Sequence, residues 1–263
     1  VHLLRMFNNC LIKMANIFLF FYGLLLGSFF NVVGIRVPNK ESIAAPRSAC
    51  PGCHHTLTAG ELIPVISYLL QGGKCRKCRM RISPLYPFVE LKTAILFAIS
   101  PLLAGWSKEL VIALTLISLF MIIFVSDMKY MIIPDKVLLF FAGLFVIERI
   151  FIPLTPWWNP LIGAVAGFIL LYGIAILSKG KGMGGGDIKL FAVLGLAIGW
   201  KLVLLSFFLS CVVGSIIGVL AIMTCKLKRK QPIPFGPSIM VGIMPAYFYG
   251  QEVLQWYLKI IGY

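Results

Sequence analysis

Charge is scarce in this chain. Of 263 residues only 13% are Asp, Glu, Lys or Arg, while 60% are hydrophobic. A soluble domain carries about twice that charged fraction, so a water-facing globule is excluded and most of the chain must be solvated by lipid. Histidine is scarcer still: three residues, all before position 56, with no HExxH and no GxSxG anywhere. Zinc–histidine or Ser–His hydrolysis therefore has no support. Aspartate occurs only at Asp127, Asp135 and Asp187. The net charge of +15 comes with no basic stripe interleaved with aromatics outside the apolar segments. Nucleic-acid binding is accordingly not expected, and basic loops beside a membrane explain the excess.

What is abundant is long apolar runs. The first, from about Ile17 to Ile35, is too long for a signal-peptide core, lacks a small-x-small cleavage site, and is followed by further runs, so it reads as a retained helix. Val1 is an unusual start and Met14 a natural one, so residues 1–13 read as an upstream extension, with 1–16 lying ahead of the first span at 17–35. Seven more spans are expected at 86–104, 110–126, 136–152, 160–178, 188–200, 202–224 and 233–250. The apolar stretch from Leu190 to Cys225, broken only by Lys201, is too long for one span and should fold as a hairpin at Gly199-Trp200-Lys201. The expectation is an all-α polytopic membrane protein of about eight transmembrane helices. A small loop domain at 36–85 would separate the first helix from a seven-helix domain at 86–263.

With the N-terminus outside, the inner loops collect the basic residues between Arg36 and Lys92, then Lys129, Lys136, Lys179, Lys181, Lys189 and the KLKRK run at 226–230. The outer loops keep only Arg5, Lys13, Lys108, Arg149, Lys201 and Lys259. That asymmetry puts the 36–85 loop in the cytoplasm of a bacterial cell, with the chain in its cytoplasmic membrane.

The loop is too short for a sizeable core, and folds of that size usually need a staple. Cys50-Pro-Gly-Cys53 and Cys75-Arg-Lys-Cys78 offer one. Two such knuckles, each presenting two thiolates, suit a structural tetrahedral zinc ion, with Lys74, Arg76, Lys77 and Arg79 offsetting the thiolate charge. The alternative is disulfides, which a reducing cytoplasm disfavours. His54 and His55 adjoin a ligand but read as solvated loop residues. Cys10, Cys211 and Cys225 read as lone small apolar residues. Four cysteines leave no open position for water, so this metal would shape the loop and do no chemistry.

Asp127 ends the third span and Asp187 opens the sixth, so the charge-derived topology brings both to the cytoplasmic face. Carboxylates near membrane depth are costly unless paired or facing a wet cavity, which makes them functional candidates. A pair sharing one proton can divide the roles of general base and general acid on a water. Gly184, Gly185 and Gly186 would clear the approach to Asp187 for an extended substrate backbone. The bland alternative is that both aspartates are interfacial caps. Asp135, following Pro134, reads as the N-cap of the fourth span.

Six stretches in order carry a resemblance: GSFFNVVGIRVP at 27–38, PRSACPGC at 46–53, GKCRKCRMRISPLYPFVEL at 73–91, SDMKYMIIPD at 126–135, GMGGGDIKLFAVLGLAIGW at 182–200 and IPFGPSIMVG at 233–242. Over nearly its whole length after Met14 the chain resembles the prepilin (type IV leader) peptidases, GxGD-type membrane aspartyl proteases. The resemblance implies an eight-helix protease that removes the basic leader of prepilins or pseudopilins, with Asp127 and Asp187 as the catalytic pair. Many members carry a second aspartate two residues after the first; here that place is Lys129. Members with the long loop often also N-methylate the new N-terminus using S-adenosylmethionine. On the resemblance alone Asn31 and Glu90 are the candidates for that activity. Two other classes compete: an ion- or proton-coupled transporter using the aspartates as a relay, and a non-catalytic zinc-bearing scaffold.

Overall fold

The computed structural model describes residues 2–179, 183–224 and 235–261. Among these residues there are nine α-helices and no strands. Eight helices are long: α1 His2–Arg36, α3 Leu85–Ala104, α4 Glu109–Tyr130, α5 Asp135–Phe151, α6 Asn159–Leu177, α7 Gly185–Ile198, α8 Trp200–Met223 and α9 Gly236–Ile261. They correspond one to one with the eight expected spans. The ninth, α2, is a five-residue helix at Ile66–Leu70. By length and composition five are able to cross a membrane: α1 from Cys10, α3, α4, α6 and α8 through Leu220. Helix α7, with 14 residues, rises only about 21 Å, short of a hydrocarbon core of about 30 Å. Large apolar side chains such as Leu139, Ile150 and Leu177 are exposed on the long helices, as expected of surfaces covered by lipid.

The chain divides into two compact units, Val1–Lys129 and Tyr130–Tyr263. In the first, α1 packs along α3 because glycines let the two backbones meet. A Cβ at Gly23 would lie 2.7 Å from the Ala94 Cα, and one at Gly27 would lie 2.7 Å from the Glu90 Cα. Close approach through small residues is how helices associate when lipid supplies no hydrophobic drive. Helix α4 is buried along nearly its whole length, from Leu110 to Asp127.

In the second unit the same device joins α6 to α7: Gly163 abuts the Gly195 backbone, and Gly167 abuts the Phe191 carbonyl. Helix α7 also packs on α5. The Arg149 guanidinium at the end of α5 donates to the Ala197 carbonyl through Nε at 2.7 Å and to the Ile152 carbonyl through Nη1 at 3.2 Å. A cation there complements the carbonyl end of α7. The turn between α7 and α8 falls at Gly199, whose φ of +80° suits glycine. The Asn159 side chain accepts the Trp200 amide at 3.1 Å. The expected hairpin is therefore present. The KLKRK run at 226–230 and the start of the IPFGPSIMVG stretch lie outside the described residues.

Candidate functional site

Between α1 and α3 the loop forms two like-built knuckles. In the first, the Cys50 amide donates to the His55 carbonyl and the His54 amide to the Cys50 carbonyl, both at 2.9 Å. In the second, Cys75 donates to Met80 at 2.9 Å and Arg79 to Cys75 at 3.0 Å. An isolated β-bridge closes each, Ala49 with Thr56 and Lys74 with Arg81. The residue after each second cysteine, His54 or Arg79, takes a positive φ. The knuckles also pack on each other, since a Cβ at Gly52 would lie 2.7 Å from the Met80 sulfur.

All four thiols are free, and their sulfurs lie within 4.8 Å of one another. Cys50 Sγ is 3.6 Å from Cys78 Sγ, and Cys53 Sγ is 3.9 Å from Cys75 Sγ. A disulfide requires about 2.05 Å; a tetrahedral shell with metal–sulfur bonds of about 2.3 Å has edges of about 3.8 Å. The cluster therefore fits a metal ion and not two disulfides.

Backbone amides, more than basic side chains, prepare these sulfurs. The Cys53 and Gly52 amides point at Cys50 and hold its thiol down at about 6. The Cys78 and Lys77 amides likewise lower Cys75. Around Cys78 the Met80 amide pulls down, but burial and the three neighbouring thiols outweigh it and push the group up to about 11. Lys74, Arg76, Lys77 and Arg79 lie exposed beside the second knuckle. His55 is not the solvated residue expected: its side chain is largely covered, with Nε2 3.3 Å from Glu61 Oε2. That carboxylate also accepts from the Thr58 amide and hydroxyl, at 2.9 Å each, and the amide and hydroxyl of Thr58, then His55, hold it below the usual range.

Asn31 and Glu90 meet the same seam of the first unit. Asn31 Nδ2 donates to the Tyr86 carbonyl at 3.1 Å. Glu90 Oε2 accepts the Val65 amide at 2.8 Å, and Ser28 interacts with the same carboxyl. Val65 has φ +61° and ψ −50°, with the Ile66 amide donating to the Pro64 carbonyl at 2.6 Å. This is a positive-φ γ-turn, strained for a β-branched residue. Nothing in the local sequence marked Val65 as the partner of Glu90.

Asp127 lies in the last turn of α4 and is only 6% exposed. Asp187 is half-buried in the first turn of α7, its amide donating to the Gly184 carbonyl at 3.1 Å. The three glycines before it differ. A Cβ at Gly184 would lie 3.2 Å from Asp187 Oδ2, one at Gly185 would meet open space, and one at Gly186 would lie 2.9 Å from Ile133 Cβ. Asp135 is not the cap expected of it. Pro134 takes the N-cap position of α5, and Asp135, in the first turn, forms an exposed ion pair with Lys189 of α7 at 2.7 Å.

Two family models match the chain. The bacterial peptidase A24 N-terminal domain matches residues 21–103, and the type IV leader peptidase family matches residues 114–219. A prepilin leader peptidase/N-methyltransferase of Bacillus subtilis (strain 168) is 46% identical over 242 residues, covering 92% of this chain and 97% of the relative. Proteins of the same description from Aeromonas salmonicida (strain A449) and Pseudomonas aeruginosa are 34% and 33% identical, each over 92% of this chain and over 93% and 92% of the relative. No solved structure matches. The chain belongs to the type IV leader peptidase family, and it is an integral membrane protease.

Proposed function

We propose that this protein cleaves the basic leader from prepilins or pseudopilins at the cytoplasmic face of the bacterial membrane, with Asp127 and Asp187 as its catalytic carboxylates. The observation that carries the reading is Asp127 itself, a carboxylate 6% exposed at the end of a predominantly apolar helix. Such a group is rare at membrane depth and marks a functional site by default. Asp135, the remaining aspartate, is spent on an exposed ion pair. Peptide hydrolysis adds one water across the C–N bond. One carboxylate takes a proton from the attacking water, and the other, protonated, donates to the departing amine, so no metal is needed for the bond to break. Names given to the relatives support both the prepilin substrate and a following N-methylation.

In this reading the four cysteines hold zinc, which cross-links the two knuckles and leaves no ligand position for water. The basic residues of 36–92 keep the loop in the cytoplasm, where a basic leader meets it. Asn31 and Glu90 serve the methyl-transfer step, for which a sulfonium donor, S-adenosylmethionine, supplies the methyl group. Gly184 and Gly185 leave room for substrate beside Asp187.

The test is mass spectrometry of the N-terminus of a co-expressed pilin-like substrate. Asp127→Asn and Asp187→Asn should each abolish shortening while the protein still inserts. Asp135→Asn should keep activity, since an exposed ion pair contributes about 0–1 kcal/mol. Loss of cleavage in Asp135→Asn with cleavage retained in Asp127→Asn would overturn the assignment.

A further inference from the structure

Among buried polar groups of the first unit, Asn31, like Asn16 and Glu61, has an acceptor oxygen left over. It is 2% exposed, and its Oδ1 has no hydrogen-bond partner among the described residues. Rotating the amide would not help, because Nδ2 is needed by the Tyr86 carbonyl at 3.1 Å and an oxygen there would repel it. A buried acceptor left unmet is destabilising, so a donor belongs there.

Glu90 stands one turn along the same seam. Tyr86, held by Asn31, lies four residues before Glu90 in α3; Gly27 and Ser28, which touch Glu90, lie four and three residues before Asn31 in α1. Glu90 is 8% exposed. Its neighbours are neutral donors, the Val65 amide and the Ser28 hydroxyl, and among the described residues no cation pairs with it. Lys92, the nearest basic residue in the helix, is turned to the Phe88 and Phe124 rings, with its Nζ 5.7 Å and 4.9 Å from their centroids. The seam thus offers a carboxylate and an amide oxygen, and supplies no positive charge of its own.

We propose that the α1–α3 seam binds a primary ammonium group, with the Glu90 carboxylate neutralising its charge and Asn31 Oδ1 accepting one of its N–H bonds. An ammonium carries three donors and one positive charge, which together match what the seam lacks. The proposal rests on the methyl-transfer reading, because that reaction brings two primary amines to the protein. One is the new N-terminus, bound as its ammonium before it gives up a proton and takes the methyl from the sulfonium, which leaves as a neutral thioether; the other is the amino group of the sulfonium donor. Entry is provided for at Val65. An incoming ammonium competes with the Val65 amide for Glu90, and releasing that amide lets a β-branched residue leave a strained γ-turn.

Glu90→Gln tests the charge alone, since its amide oxygen still accepts the Val65 amide. Asn31→Ala tests the orphan acceptor. Helical content and bound metal, measured on the full-length protein, report folding in each. S-adenosylmethionine alone is titrated calorimetrically onto the detergent-solubilised protein, and methylation of a pilin-like peptide with a free N-terminus is followed against peptide concentration. In Glu90→Gln methylation should fall at least about tenfold, the loss of one charge-assisted hydrogen bond. A Kd for the donor that weakens in parallel assigns the ammonium to the donor. A donor analogue without its amino group should then bind wild type and variant alike. An unchanged donor Kd with a raised KM for the peptide assigns the ammonium to the acceptor. Wild-type methylation, donor affinity and peptide KM in both folded variants would overturn the proposal and leave the methyl-transfer reading standing. A wild-type protein that shortens prepilin and never methylates it would overturn both.

Discussion

A methyl group added at Gly186 would lie 2.9 Å from the Cβ of Ile133, whereas one added at Gly185 would meet nothing within 4 Å. The three glycines before Asp187 therefore separate by environment. Gly186 is a packing position, and overfilling it should cost about 1–3 kcal/mol. Gly186→Val is expected to lower thermal stability in detergent together with cleavage. Gly185→Ala should leave the melting temperature in place, so any loss of cleavage there reports crowding of substrate beside Asp187. Equal melting temperatures for wild type and Gly186→Val would show that Ile133 yields freely. Asp135 teaches a related lesson. The Pro-Asp pair signals a helix start, and α5 does start there, but the side chain goes to Lys189, a residue distant in sequence.

At the scale of elements, helix pairing depends on small residues four apart. Gly23 and Gly27 seat α1 on α3, and Gly163 and Gly167 seat α6 on α7. The spacing is visible in the sequence, yet which helix each pair would face is not, because glycine carries no information about its partner. Gly195→Val would drive a side chain into the Gly163 backbone and should sharply reduce folded yield. Gly143→Ala, in the interior of α5 with open space around it, should be neutral or stabilising by up to about 1 kcal/mol. Thermal unfolding of the two variants side by side checks the contrast. The cysteine loop is an element of another kind, with little core and two knuckles meeting at four sulfurs. Purified protein should carry about one zinc per chain, lost in a Cys50→Ser, Cys53→Ser double variant. Stripping the metal should then expose 40–80 to limited proteolysis while α3 and α4 stay protected. Metal analysis with no zinc in the wild type would overturn the assignment.

For the whole molecule, the distribution of basic residues implies one orientation. Protease added outside intact spheroplasts should leave the 36–85 loop uncut, and should cut it in inverted vesicles; cleavage from outside would reverse the sidedness. Much of the molecule was legible in its sequence. Lipid solvation follows from a charged fraction of 13%, the eight long helices from runs of apolar residues, and the four-cysteine cluster from CxxC spacing. These are properties of local composition and period, set by what each segment can bury or bind by itself. Other features depend on segments that meet only once the chain is folded. Val65 donates to Glu90 across 25 positions, Asn31 reaches Tyr86 across 55, and Arg149 reaches Ala197 across 48. A carboxylate written in an apolar helix shows that something must compensate it. Whether the compensation comes from an amide, a lysine or a ligand is decided only by tertiary packing, because hydrogen bonds and desolvation act over a few ångströms of space and not along the chain.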